Sequence, residues 1–215
     1  MMAAGNFLEV YLIAGTQDVV SGSLPTLLKK ALKAGITCFQ YREKGKGSLV
    51  EYEQRKEMAL ICRNLCRQYN VPFLINDDVA LAVDVLADGV HVGQEDKNIQ
   101  EVLAMFPNKI VGLSCYNQQE IDDGNKLTDI SYYGIGPVFG TISKADAKPP
   151  IGVEKLRILA ERSTKPAVAI GGITIENVKE IQAATVAGAA VISAVTRSNN
   201  IQKTVEKLKK GSGDK

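Results

Sequence analysis

The chain has 215 residues, 45% hydrophobic and 23% charged, enough apolar material for one sizeable core. Its 26 basic and 24 acidic side chains leave a formal net charge of +2, and no basic run is interleaved with aromatics, so nucleic acid is not an expected partner. No stretch reaches the roughly 18 consecutive apolar residues of a membrane span, and Met1-Met2-Ala3-Ala4-Gly5-Asn6 lacks the basic and apolar regions of a secretion signal.

Taken in chain order, short β-rich runs alternate with amphipathic segments. Strands are predicted over 9–14, 37–42, 72–76, 89–92, 109–114, 130–135, 167–170 and 190–193. Helices are predicted over 24–34, 49–68, 79–86, 99–105, 118–126, 153–161, 175–183 and 201–209. Near-continuous apolar strands such as Ile110-Val111-Gly112-Leu113 suit a parallel sheet buried on both faces. Eight strand–helix units therefore predict a single α/β domain over 1–215, a (β/α)₈ TIM barrel with its active site at the C-terminal ends of the strands. An open doubly wound sheet is the runner-up, but no G-x-G-x-x-G turn follows the first strand. The ends, about 1–7 and 210–215, are expected to be flexible, and the tail from Lys209 onward disordered.

Cys38, Cys62, Cys66 and Cys115 form neither a metal spacing nor a disulfide framework, and read as reduced thiols of a cytoplasmic protein. Cys62 and Cys66, at i and i+4, read as packed thiols ahead of a redox pair.

A barrel places its chemistry on the loops after the strands. In Gln40-Tyr41-Arg42-Glu43-Lys44, alternation aims Gln40, Arg42 and Lys44 at one face, which suits an anion. Asn76 and Asp77 end the third strand, Gln94 and Asp96 follow the fourth, and Ser114 ends the fifth. Two carboxylates beside Arg42, Lys44 and Lys144 fit a hard cation such as Mg²⁺, which takes one or two carboxylates and completes its shell with water and phosphate oxygens. The competing role is helix capping, which fits Asp78 directly before Val79. Gly171-Gly172 after the seventh strand and Ser193 at the end of the eighth look like a phosphate cradle.

These residues carry a resemblance. Q-Y-R-E-K, I-N-D-D, D-G-V-H-V-G-Q-E-D, G-P-V-F-G-T-I-S-K, I-G-G-I and V-I-S-A occur in the order and spacing of the thiamine-phosphate synthase family, across nearly the whole chain. The resemblance implies a transferase joining hydroxymethylpyrimidine diphosphate to thiazole phosphate, with release of pyrophosphate. It implies that Gln40, Arg42, Lys44, Asn76 and Lys144 bind the diphosphate and that Asp77 and Asp96 hold Mg²⁺. Ser114 would contact the pyrimidine, Thr141 and Ser143 the thiazole, and Gly172, Ile192 and Ser193 its phosphate. Tyr41, Glu43, Ile142 and Gly171, within the same motifs, complete the expected substrate contacts, and Lys144, Arg42 and Ser114 are the expected catalytic groups. As partners it implies small-molecule substrates, with neither nucleic acid nor membrane, and it leaves a homodimer open.

No Ser/His/Asp set offers a covalent nucleophile, and none is needed if the pyrimidine loses diphosphate to leave a stabilised cation. The polar loop 141–150 is long enough to close as a lid and equally fits a plain connector. His91, between Val90 and Val92, reads as a hydrogen-bonded interior histidine. Where many relatives read Ser-x-His, this chain has Ser114-Cys115-Tyr116. That departure weakens the first alternative, a thiazole tautomerase-like isomerase. The second, a non-catalytic phosphate-binding regulator, should have lost a metal carboxylate or the lid lysine, and this chain keeps both.

Overall fold

Alternation of side chains along eight short strands decides the architecture. A computed structural model of the chain describes residues 6–141, 143 and 148–212. Within them β1 (Val10–Ala14), β2 (Cys38–Tyr41), β3 (Phe73–Asn76), β4 (Gly89–Val92), β5 (Ile110–Cys115), β6 (Tyr132–Ile135), β7 (Ala167–Ile170) and β8 (Gly188–Val191) pair in parallel in sequence order. The β1–β8 pairing, with Leu12 opposite Val191, closes the barrel. The helices are α1 (Leu24–Ala34), α2 (Tyr52–Gln68), α3 (Val79–Asp84), α4 (Ile99–Met105), α5 (Gln118–Asn125), α6 (Gly152–Arg162), α7 (Ser193–Thr196) and α8 (Ile201–Ser212).

Two apolar layers follow from the period of two. Tyr11, Ile13, Cys38, Leu74, Tyr132, Val168 and Ala190 point inward and fill the barrel. Their neighbours Val10, Leu12, Phe39, Tyr41, Val90 and Val111 point outward and pack under the helices. Truncating a fully buried member of either layer, such as Leu74→Ala, should cost about 2–5 kcal/mol.

Local chemistry sets the element ends. In α1 the Ser23 side chain accepts from the Thr26 N–H, Pro25 occupies the first turn, and Gly35 at φ +92° closes the helix. The helix buries Leu24, Leu28, Ala31 and Leu32 against the barrel.

Three boundaries differ from expectation. β8 ends at Val191, so Ser193 opens α7 and is not a strand residue; Ile192, at φ −113° and ψ −81°, breaks the strand. The helix predicted over 175–183 is a 3₁₀ segment, Val178–Ala184. Its start is delayed because the Asn177 and Thr174 side chains take the Thr174 and Glu176 N–H groups and hold them in turns. At the C-terminus α8 continues to Ser212, past the predicted helix end at Lys209. At the other end Phe7 packs edge-on against Tyr132 at 5.8 Å and Leu8 is fully buried.

Candidate active site

The carboxylates come first, because their geometry is the most constrained. Asp77 leaves β3 in the left-handed region, at φ +57°, and its N–H donates to the His91 carbonyl at 2.9 Å. Across the rim Asp96 is held by the Gly93 N–H, which donates to its Oδ2 at 2.7 Å. Burial, then hydrogen bonding with Asp96 and its negative charge, pushes the Asp77 carboxyl up to about 6. Lys44 Nζ lies 3.3 Å from Asp77 Oδ2 and offsets part of this rise. Two converging carboxylates, with Asp96 making Asp77 harder to ionise, fit a hard divalent cation. Asp78 instead caps α3, accepting from the Leu81 N–H at 3.0 Å and from Arg55 at 2.8 Å, as the capping reading expects.

Arg42 is only 5% exposed, and among the described residues no group hydrogen-bonds or ion-pairs with its guanidinium. It acts on the Asp18 carboxyl through its charge alone, which leaves its N–H donors for an incoming anion. Gln40 is buried below the rim and donates to Tyr11 Oη at 2.6 Å. Asn76 is half-buried at the end of β3, in register with His91.

Two expected substrate contacts are corrected. Tyr41 points outward into the layer under the helices, because it has the opposite parity to Gln40 and Arg42. Glu43 accepts from the Thr16 N–H and Oγ1 at 2.7 Å each and from the Leu49 N–H at 2.8 Å. Its carboxylate ties the loops after β1 and β2 together and is not directed at a ligand.

A cavity of about 390 Å³ opens at the C-terminal end of the barrel. Lys44, Asp96 and Ser114 border one side of it, and Gly171, Gly172, Ile192 and Ser193 the other. Thr141 and Ser143 also reach it, with the Ser143 N–H donating to Thr141 Oγ1 at 3.2 Å. Gly172 sits at φ +65°, and a side chain there would strike the Gly140 carbonyl and Phe139, so only glycine fits this approach. Asn177 Nδ2 donates to the Gly172 carbonyl at 2.9 Å and braces the turn. Ile142 and Lys144 lie outside the described residues, so the geometry places neither of them.

His91 is an interior hydrogen-bonded histidine, 2.9 Å from both Tyr132 Oη and Ser114 Oγ. The four cysteines are buried and free. Burial pushes the Cys115 thiol up to about 12 and raises Cys62 and Cys66 well above their usual range, which fits packing over redox chemistry.

Sequence reading missed Lys148 in the cavity wall and gave Tyr116, beside it, no role; Lys148 Nζ lies 5.1 Å from the Tyr116 ring. The Ser114-Cys115-Tyr116 departure was the available signal for Tyr116. Gln94, noted only for its position, anchors the site by donating to the Ser114 carbonyl at 2.7 Å.

Comparison with known proteins agrees with this fold. Residues 10–195 match the family described as thiamine monophosphate synthase. A thiamine-phosphate synthase of Listeria innocua is 52% identical over 204 residues, covering 94% of this chain and 95% of that one. Another, from Actinobacillus succinogenes, is 48% identical with coverage of 94% and 96%. The solved thiamine phosphate pyrophosphorylase of Pyrococcus furiosus superposes with a TM-score of 0.85 at 35% identity, over 96% of each chain. By sequence and by fold, the chain belongs to the thiamine monophosphate synthase family.

Proposed function

We propose that the protein condenses 4-amino-2-methyl-5-(diphosphooxymethyl)pyrimidine with 4-methyl-5-(2-phosphooxyethyl)thiazole, or its carboxylated form, to give thiamine phosphate and pyrophosphate. The observation that carries this reading is one cavity bordered by Asp96 and Lys44 on one side and by Gly171, Gly172 and Ser193 on the other. Two differently built anion sites facing one cavity suit one substrate with a diphosphate and a second with a monophosphate.

Asp77 and Asp96 would hold Mg²⁺, whose contribution is to neutralise charge on the diphosphate as it leaves. Arg42 supplies a fixed buried positive charge for the same group, and Lys44 exchanges its contact with Asp77 for the diphosphate. Lys144, assigned from the resemblance alone, adds a further cation. Loss of diphosphate leaves a cation delocalised over the aminopyrimidine, which the thiazole nitrogen captures to form the new C–N bond. The chain holds that acceptor in line through its phosphate, gripped by backbone N–H groups at Gly172 and by the Ser193 hydroxyl. Ser114 meets the pyrimidine, Thr141 and Ser143 meet the thiazole, and Ile192 joins Gly172 and Ser193 at its phosphate.

No helix among the described residues is long and apolar enough to cross a membrane. Four free buried thiols fit a cytoplasmic place of action. Incubating the protein with both phosphorylated precursors and Mg²⁺ should release pyrophosphate and thiamine phosphate in equal amounts. Absence of pyrophosphate, or its release without the thiazole, would overturn the reading.

A further inference from the structure

Beneath the cavity a chain of hydrogen bonds crosses the barrel from β2 to β5. Gln40 Nε2 donates to Tyr11 Oη at 2.6 Å, and Tyr11 Oη lies 2.8 Å from Tyr132 Oη. Tyr132 Oη lies 2.9 Å from His91 Nδ1, and His91 Nε2 lies 2.9 Å from Ser114 Oγ. The first four members are buried, and only Ser114 borders the cavity. Barrel interiors are ordinarily filled by branched apolar side chains, so five polar groups in a row need a reason. The barrel also gives up volume to seat them: a side chain at Gly112 would strike the Tyr132 ring and His91 Nδ1, and one at Gly134 would press on the His91 ring.

The chain has a direction. An amide nitrogen only donates, so Tyr11 Oη accepts from Gln40 and turns its own proton to Tyr132 Oη. Tyr132 then aims its proton at His91 Nδ1. A ring nitrogen that accepts carries no proton in neutral imidazole, so the ring proton sits on Nε2 and is donated to Ser114 Oγ. With an acceptor site of Ser114 so used, its own O–H is left to point into the cavity. Burial holds both phenols well above their ordinary range, so both stay protonated donors.

We propose that Tyr11 and Tyr132 are positioning residues that lock His91 in its Nε2–H form and thereby keep the Ser114 O–H free to donate to a ring nitrogen of the pyrimidine. The last step rests on the reading above that Ser114 meets the pyrimidine; the tautomer does not.

Because His91 is the only histidine in the chain, its two ¹⁵N resonances can be assigned without ambiguity in the intact, ligand-free protein. The wild type should show a protonated Nε2 and a bare Nδ1. A protonated Nδ1 would reverse the chain and overturn the proposal without any variant being made. Tyr132→Phe, which keeps the ring and removes the donor, should shift His91 toward the Nδ1–H form. It should also raise KM for the pyrimidine diphosphate about tenfold, the worth of one hydrogen bond, while leaving KM for the thiazole phosphate unchanged. An unmoved tautomer in Tyr132→Phe would sink the relay. A moved tautomer with unchanged pyrimidine KM, in a protein whose Ser114→Ala variant is equally unaffected, would keep the relay and remove Ser114 from the pyrimidine site.

Discussion

The two sides of the cavity are built on opposite principles. Toward β2–β4 the groups are ionisable side chains: Lys44 and Asp96 in the cavity wall, Asp77 in contact with Lys44, and the buried Arg42. Toward β7 and β8 they are Gly171, Gly172 and Ser193, with no charge of their own. The first side can bind a metal and stabilise charge that changes during a reaction. The second offers fixed backbone dipoles, which suit a group that is held and released unaltered. Deletion of a side chain should therefore damage the first side, and addition of bulk or charge the second.

The largest effect is expected from Asp77→Ala or Asp96→Ala. Either variant should lower kcat by about 10³-fold or more, beyond the loss of a single electrostatic donor, because the metal goes with the carboxylate. The barrel should stay folded, since neither side chain belongs to the apolar layers. Near wild-type turnover at saturating Mg²⁺, measured with both substrates, would remove the carboxylates from the metal assignment.

Lys144→Ala should act next, lowering kcat by roughly 10²- to 10³-fold, the usual cost of one preorganised donor, with a smaller change in KM. If the loop also excludes water, the variant should release more hydroxymethylpyrimidine per thiamine phosphate formed. Unchanged kcat and side product would reduce the loop to a connector.

Ser193→Asp tests the other side. Placing a negative charge beside the proposed phosphate and removing a donor should raise KM for the thiazole phosphate at least tenfold and leave the pyrimidine diphosphate nearly untouched. Equal effects on the two substrates would mean that the two sides are not separate sites.

How far the sequence reaches depends on how local the controlling physics is. The bounds of α1 and α4 were legible because Ser23, Gly35 and Asn98 mark them, and β4 and β7 because turn residues flank short apolar runs. β8 slipped by two residues because the apolar run continues through Ile192 with nothing to stop it. Tyr41 and Glu43 were carried along by their motif, although the same alternation that faces Gln40, Arg42 and Lys44 inward turns these two away. The carboxylate pair was legible, but Lys44 as a partner of Asp77 was not, since it needs the β2 and β3 loops side by side. Tyr11 and Tyr132 looked like ordinary strand residues; only the register across the closed barrel joins them.

The smallest effect, and the one that separates the two sides most cleanly, is on pH. With its pKa pushed up to about 6, from an ordinary value of 3.8, Asp77 binds its proton more tightly in the folded chain than in the unfolded one. Its ionisation therefore opposes folding: the cost is fully present above about 6, shrinks as pH falls, and vanishes below the unfolded value. A bound divalent cation reverses this preference by favouring the carboxylate, so proton and metal compete. Mg²⁺ should raise the melting temperature at about pH 7.5 and do so much less at about pH 5, with apparent affinity falling up to tenfold per pH unit below about 6. Asp77→Asn should melt higher than wild type without metal at about pH 7.5, lose most of the Mg²⁺ response and show little of its pH dependence. Phosphate binding at the Gly172–Ser193 side should follow the titration of the phosphate alone, in wild type and variant alike. A Mg²⁺ response in Asp77→Asn as large and as pH-dependent as in wild type would place the metal elsewhere on the rim.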